Sequence, residues 1–158
     1  MLSGKEEKAS KYLILAKTNA ELFSKDPHTK VGAILMASDF SRILSTGING
    51  FPRNMNDTIE MRWERPTKYK YVAHAEMNAI CNAARSGVSL DNSIAIVTLF
   101  PCSNCAKALI QAGIREIYVP ENCMKCNITE WEEDFKISRE MLFEVNVEVR
   151  TIPEPVKN

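Results

Sequence analysis

Ser93-Ile94-Ala95-Ile96-Val97-Thr98-Leu99-Phe100-Pro101-Cys102-Ser103-Asn104-Cys105-Ala106-Lys107-Ala108-Leu109-Ile110-Gln111-Ala112-Gly113 reads as a strand, a turn and a helix in succession. Ser93 to Leu99 is a short apolar run of strand length. Cys102 to Ala112 reads as a helix, and Gly113 ends it, because glycine accepts the backbone conformation that closes a helix. Glu116 to Val119 then reads as another short strand.

The same grammar extends both ways. Upstream, Ala75 to Arg85 reads as a helix with Met77, Ile80 and Ala84 inward and Gly87 as its stop. Lys30 to Ala37 and Ser41 to Thr46 read as strands joined through Ser38-Asp39, an antiparallel hairpin. Lys5 to Ser24 places Ala9, Tyr12, Leu13, Ala16, Ala20 and Phe23 at helical spacing, and Asp26-Pro27 ends that helix. Downstream, Thr129 with Glu132 forms a capping box for a helix reaching about Phe143. Val145, Val147 and Val149 alternate with polar residues, as in a half-exposed last strand. The order α-β-β-α-β-α-β-α-β predicts a layered α/β fold with a mostly parallel sheet. Between Gly47 and Tyr71 lies a long polar stretch with Arg53, Arg62, Arg65, Lys68 and Lys70. A loop of that length is either functional or simply solvated, and the composition leaves both open.

The 158 residues suit one domain with a substantial core, and no repeat or linker divides them. Hydrophobic residues are 45% and charged residues 25%, which excludes a disordered chain or a coiled coil. Twenty basic residues balance twenty acidic ones, which disfavours long nucleic acid as the main partner. No apolar run approaches the roughly 20 residues of a membrane span. Residues Met1 to Lys8 lack the apolar core of a signal peptide. The expectation is a cytoplasmic, reducing location without membrane contact, where the five cysteines serve as metal ligands or core thiols. Cys81 reads as a core residue, and Cys123 and Cys126 as core or loop thiols.

Two segments carry chemistry. His74-Ala75-Glu76 opens one helix, and Pro101-Cys102-Ser103-Asn104-Cys105 opens another 28 residues after His74. Cys102 and Cys105 are three apart, so they share a helix face. One imidazole and two thiolates suit zinc, and three ligands leave a fourth position for water, as in catalytic sites. Helix N-termini help keep the thiols deprotonated. Glu76 lies within reach of that water without being a ligand, and a carboxylate there can carry protons through a hydrolytic deamination. The bland reading is a structural zinc site, whose fourth ligand could come from His28, Cys81, Cys123 or Cys126. The two motifs together, in this order, form the known signature of zinc nucleobase deaminases.

With these motifs the sequence resembles the cytidine/deoxycytidylate deaminase family. The matching stretches are Ser24-Lys25-Asp26-Pro27, Thr29-Lys30-Val31-Gly32-Ala33, Gly47-Ile48-Asn49-Gly50-Phe51-Pro52-Arg53, Lys68-Tyr69-Lys70-Tyr71-Val72 and His74 to Ile80. They continue through Thr98-Leu99-Phe100-Pro101-Cys102, Cys105-Ala106-Lys107 and Ile110 to Ile114, so the likeness covers about residues 8 to 120. Asp-Pro…Thr-Lys-Val-Gly and Asn-Gly-Phe-Pro are similar to the deoxycytidylate branch. One departure is Arg53-Asn54-Met55-Asn56-Asp57, where the family often has glycine after the arginine.

The resemblance implies a three-layer α/β/α fold with a five-stranded mixed sheet, in a single zinc-dependent deaminase domain over residues 1–158. It implies Zn2+ on His74, Cys102 and Cys105, with Glu76 as the catalytic proton carrier. It implies that Asn49 binds the sugar and that the backbone at Ala75 and Phe100 reads the pyrimidine. Gly50, Arg53 and Asn54 then belong to a nucleotide-phosphate or allosteric site. The implied reaction is hydrolysis of dCMP to dUMP and ammonia, which supplies dUMP for thymidylate synthesis. The implied regulators are dCTP and dTTP, with Mg2+ accompanying a bound triphosphate, and the implied assembly is a homo-oligomer, commonly a hexamer. Two alternatives stay open: a deaminase of polynucleotides or of dCTP in the same superfamily, and a non-catalytic zinc module, which would have no use for Glu76.

Overall fold

The computed structural model describes residues 2–125 and 129–154, with the side chains of all of these except 124, 125, 129 and 130. Helix α1 (Gly4–Phe23) begins with a capping box. The Ser3 hydroxyl accepts the Glu6 N–H at 3.3 Å and the Glu6 carboxylate accepts the Ser3 N–H at 2.7 Å, so two orphan donors are satisfied. Ala9, Leu13, Ala16 and Ala20 form its buried stripe, whereas Phe23 turns out to solvent.

Strands β1 (Gly32–Met36) and β2 (Ile43–Ile48) form the expected antiparallel hairpin. Helices α2 (Lys68–Tyr71) and α3 (Ala75–Arg85) precede β3 (Ser93–Val97). Helix α4 (Ser103–Ala112), β4 (Ile114–Pro120), α5 (Thr129–Glu144) and β5 (Glu148–Ile152) complete the chain. The sheet order is β2-β1-β3-β4-β5. Strand β1 is antiparallel to both neighbours, while β3/β4 and β4/β5 are parallel. The sheet is therefore mixed, as the family resemblance implies, and not mostly parallel as the order of elements suggests. The reason is that α3 carries the chain from β2 over β1, so β3 lands on the far side of β1.

Alternation along the strands divides the core. Ile34, Met36, Ile94 and Ile96 pack with α1, while Ala33, Leu35, Ala95 and Val97 join α3, α4 and α5 on the opposite face. On α3 the inward residues are Ala75, Glu76, Ala79 and Ala83; Met77 and Ala84 face out, and Ile80 is half-buried. The expected inward set is corrected because the helix lies too close to the sheet for large side chains. A Cβ on Gly47 would stand 2.2 Å from the Ala75 carbonyl oxygen and 2.4 Å from the Ala79 nitrogen, so glycine in β2 permits the approach. Cys81 is exposed on the outer side of the same helix and is not a core residue.

Two further differences have local causes. The last strand starts at Glu148 because Asn146 takes a left-handed conformation (φ 58°), which makes Val145 to Val147 a turn. The polar stretch before α3 contains a 3-10 turn at Glu60–Trp63 as well as α2. It is packed by its own aromatic rings: Trp63 stacks on Phe51 at 4.0 Å and donates its indole N–H to the Asp57 carbonyl at 2.8 Å. Cys126 lies outside the described residues, as does the side chain of Thr129 in the expected capping box.

Candidate active site

His74 occupies the N-cap of α3 and Cys102 the N-cap of α4, and neither uses its side chain to cap its helix. The two N-termini meet beyond the same end of the sheet, the one toward which β2 and β3 both run. His74 Nδ1 lies 3.4 Å from Cys102 Sγ and 3.4 Å from Cys105 Sγ, and the three donor atoms fall within 4.8 Å of one another. Tetrahedral zinc with bonds of about 2.0–2.3 Å separates its ligand atoms by about 3.5–3.8 Å, so this donor set fits zinc in both chemistry and spacing. Among the described residues the cluster has three members, and His28, Cys81 and Cys123 are not in it.

The interaction with Cys105 is the main pull holding Cys102 well below the usual thiol range; burial opposes it, and His74 assists. The same interaction, then burial, pushes Cys105 up. His74 is raised by its bond to Cys102, against the effect of burial. Glu76, 4% exposed, is pushed up by burial to about 7, against the pull of its own backbone N–H and of His74. An acid held there can both accept and release a proton near neutral pH.

A cavity of about 200 Å³ opens over this cluster. Glu76, His74 and Ala75 form its floor, with Phe100 and Leu99 beside them. Trp131 and Phe135 from α5 form an aromatic wall, their rings stacked 6.1 Å apart, with Phe135 edge-on to Phe100 at 5.6 Å. The opposite wall is polar. Asp26 and Lys68 pair there at 2.8 and 3.0 Å, both nearly out of solvent. The Asp26 carboxylate also accepts the N–H groups of His28 and Thr29.

Asn49 braces that wall. Its Nδ2 donates to the Thr29 carbonyl at 2.7 Å and to Asp26 at 3.2 Å. Its Oδ1 accepts the Val31 N–H at 2.9 Å and lies 2.9 Å from the Ser24 hydroxyl. The amide is thus filled by protein partners, so a ligand hydroxyl could reach it only by sharing one of them.

The structure brings His74, Cys102, Glu76, Asn49, Ala75 and Phe100 to one cavity, with Cys105 clustered against His74 and Cys102. Gly50, Arg53 and Asn54 do not line it: Gly50 bridges to Ala73 through its backbone, and the Arg53 guanidinium bonds to Asn82 on α3. Of the basic loop residues, Lys68 is committed to Asp26 and Arg62 lies over the Tyr71 ring. Arg65 lines the cavity mouth without a partner among the described residues. Sequence reasoning missed Asp26, Trp131 and Phe135. The i,i+4 spacing of the two aromatics on a helix was the available signal for a shared face.

Residues 6–121 match the family model described as the cytidine and deoxycytidylate deaminase zinc-binding region. An uncharacterized deaminase of Aliivibrio fischeri is 40% identical over 131 residues, which cover 83% of this chain and 84% of that one. The deoxycytidylate deaminase of Homo sapiens is 42% identical over 100 residues, 60% of this chain and 54% of that protein. The chain therefore spans about half the length of that human relative. The crystal structure of the dCMP deaminase from cyanophage S-TIM5 in complex with dCMP and dUMP superposes with a TM-score of 0.71 at 27% identity. That match covers 96% of this chain and all of that one.

Proposed function

The chain belongs to the cytidine and deoxycytidylate deaminase family, and from that membership we propose that it converts dCMP and water to dUMP and ammonia. The observation that carries the reading is Glu76: a carboxyl buried at the cavity floor, beside three clustered donor atoms that suit zinc. Zinc held by His74, Cys102 and Cys105 supplies Lewis-acid activation of a water when bound. Glu76 takes a proton from the attacking water and passes it to the ring nitrogen. It then moves the second proton to the departing amine, so water is consumed and ammonia released in equal amounts. The backbone at Ala75 and Phe100 reads the edge of the base, while the rings of Trp131 and Phe135 cover its face and exclude bulk water.

The polar wall of Asn49, Asp26 and Lys68 frames the sugar, and Arg65 at the mouth meets the 5′-phosphate through charge-assisted hydrogen bonds. Gly50, Arg53 and Asn54, away from the cavity, belong to a separate site for dCTP as activator and dTTP as inhibitor, with Mg2+ beside the triphosphate. In this reading the chain works as a homo-oligomer, a hexamer, in the cytoplasm, and its dUMP feeds thymidylate formation. No helix among the described residues is long and apolar enough to cross a membrane.

The test is ammonia release from dCMP, dCTP, deoxycytidine, cytidine and CMP offered in parallel. The proposal expects dCMP to give the highest kcat/KM. Deoxycytidine turned over equally well would remove the phosphate contact, and dCTP as the better substrate would replace dCMP. Repeating the dCMP curve with dCTP and dTTP, alongside light scattering, checks regulation and assembly; a monomer with an unshifted curve would refute both.

A further inference from the structure

We propose that Asp134, on α5, is a positioning residue for the metal: it caps the helix that carries Cys102 and Cys105 and so leaves the Cys102 thiol free to bind zinc. The inference rests on the zinc reading above. Helix α4 starts with exposed backbone N–H groups that need acceptors. An N-cap side chain usually supplies one. Here the N-cap is Cys102, whose side chain makes no capping bond and instead turns toward His74.

Asp134 takes over from another helix. Its Oδ2 accepts the Ser103 N–H at 2.8 Å and its Oδ1 accepts the Ser103 hydroxyl at 2.5 Å. A carboxylate at this position also complements the positive end of α4. One turn further along α5, the fully buried Ser138 donates its hydroxyl to the Pro101 carbonyl at 2.8 Å. Asp134 and Ser138 are four residues apart, so one face of α5 grips both sides of Cys102. Beside that face, Trp131 and Phe135 form the cavity wall. Helix α5 lies beyond the family match, which ends at residue 121, yet it holds the ligand loop at three hydrogen bonds. Partners that orient metal ligands typically change metal affinity by about 10–100-fold when removed.

The bland account is that Asp134 merely clamps two helices together. Zinc affinity separates the two, measured by chelator competition on the full chain for wild type, Asp134→Ala, Asp134→Asn and Glu133→Ala. Cobalt(II) replacement adds a readout, because its thiolate charge-transfer band reports ligand geometry. We expect Asp134→Ala to bind zinc at least tenfold more weakly, with an altered cobalt band. Asp134→Asn, which can still accept the Ser103 N–H, should fall between it and wild type. Glu133→Ala, an exposed acid on the same helix, should match wild type. Wild-type affinity and cobalt band in Asp134→Ala would overturn the proposal even if the melting temperature fell. If Asp134→Ala does not fold, wild-type affinity in Asp134→Asn overturns it instead. Equal weakening in Glu133→Ala would reduce the effect to net charge and overturn it too. A wild-type chain that takes up no zinc would overturn both this inference and the reading beneath it; zinc in wild type with unaffected variants overturns this inference alone.

Discussion

Lys68 and Asp26 set the polarity of one cavity wall from positions 42 residues apart, and both are almost completely buried. Breaking a buried pair leaves a charge without a partner, which costs about 3–5 kcal/mol. Asp26→Asn should lose stability on that scale in urea unfolding and should also raise KM, because Asn49 and the Thr29 backbone lose their anchor. Burial pushes the Asp26 carboxyl up, but the Lys68 ammonium and the His28 and Thr29 N–H groups outweigh it and hold it below its ordinary value. A depressed carboxylate stabilises fully above its unfolded pKa and loses that contribution as pH falls through its folded one. The stability gap between wild type and Asp26→Asn should therefore stay constant above about pH 5 and shrink below about pH 4. A gap that widened in acid would contradict the assignment. This pair was not legible beforehand: Asp26 reads as a helix stop and Lys68 as one more basic loop residue. Their partnership exists only once the tertiary fold joins α2 to the end of α1. His74, Glu76, Cys102 and Cys105 were legible because each motif is local and each helix start positions its own residues.

At the scale of elements, the position of α3 against β2 decides where His74 and Glu76 stand. Gly47→Ala would drive a Cβ into the backbone of Ala75 and Ala79, and overpacking of this kind costs about 1–3 kcal/mol. We expect a lower melting temperature and a larger fall in kcat than in KM, since the floor of the cavity moves. Unchanged kcat at lower stability would mean that the helix relaxes without disturbing the site. Helices and strands with clear apolar patterns were readable, and Gly113, at φ 93°, ends α4 as its sequence position implies. The face α3 buries was not, because a helix packed this closely hides alanines and exposes larger residues. The turn at Glu60–Trp63 and α2 were also hidden, since Phe51, Trp63 and Tyr71 hold that segment through ring contacts without helical periodicity.

For the whole molecule, three layers bring two helix N-termini, an aromatic wall and a polar wall around one cavity. Cys123 is not among the clustered donor atoms, and Cys126 lies outside the described residues. Replacing both with serine should leave zinc content and dCMP turnover unchanged, whereas loss of a second zinc equivalent would reveal a structural site. The central claim is that Glu76 moves the protons of dCMP hydrolysis over a zinc site it does not ligate. Its most direct measurement is dCMP turnover by zinc-loaded wild type and Glu76→Gln, with the metal content of each determined. The account predicts equal zinc in both, dUMP and ammonia formed one for one by wild type, and a drop of at least about 10²–10⁴-fold in the variant. Loss of zinc from Glu76→Gln, or turnover close to wild type, would contradict it.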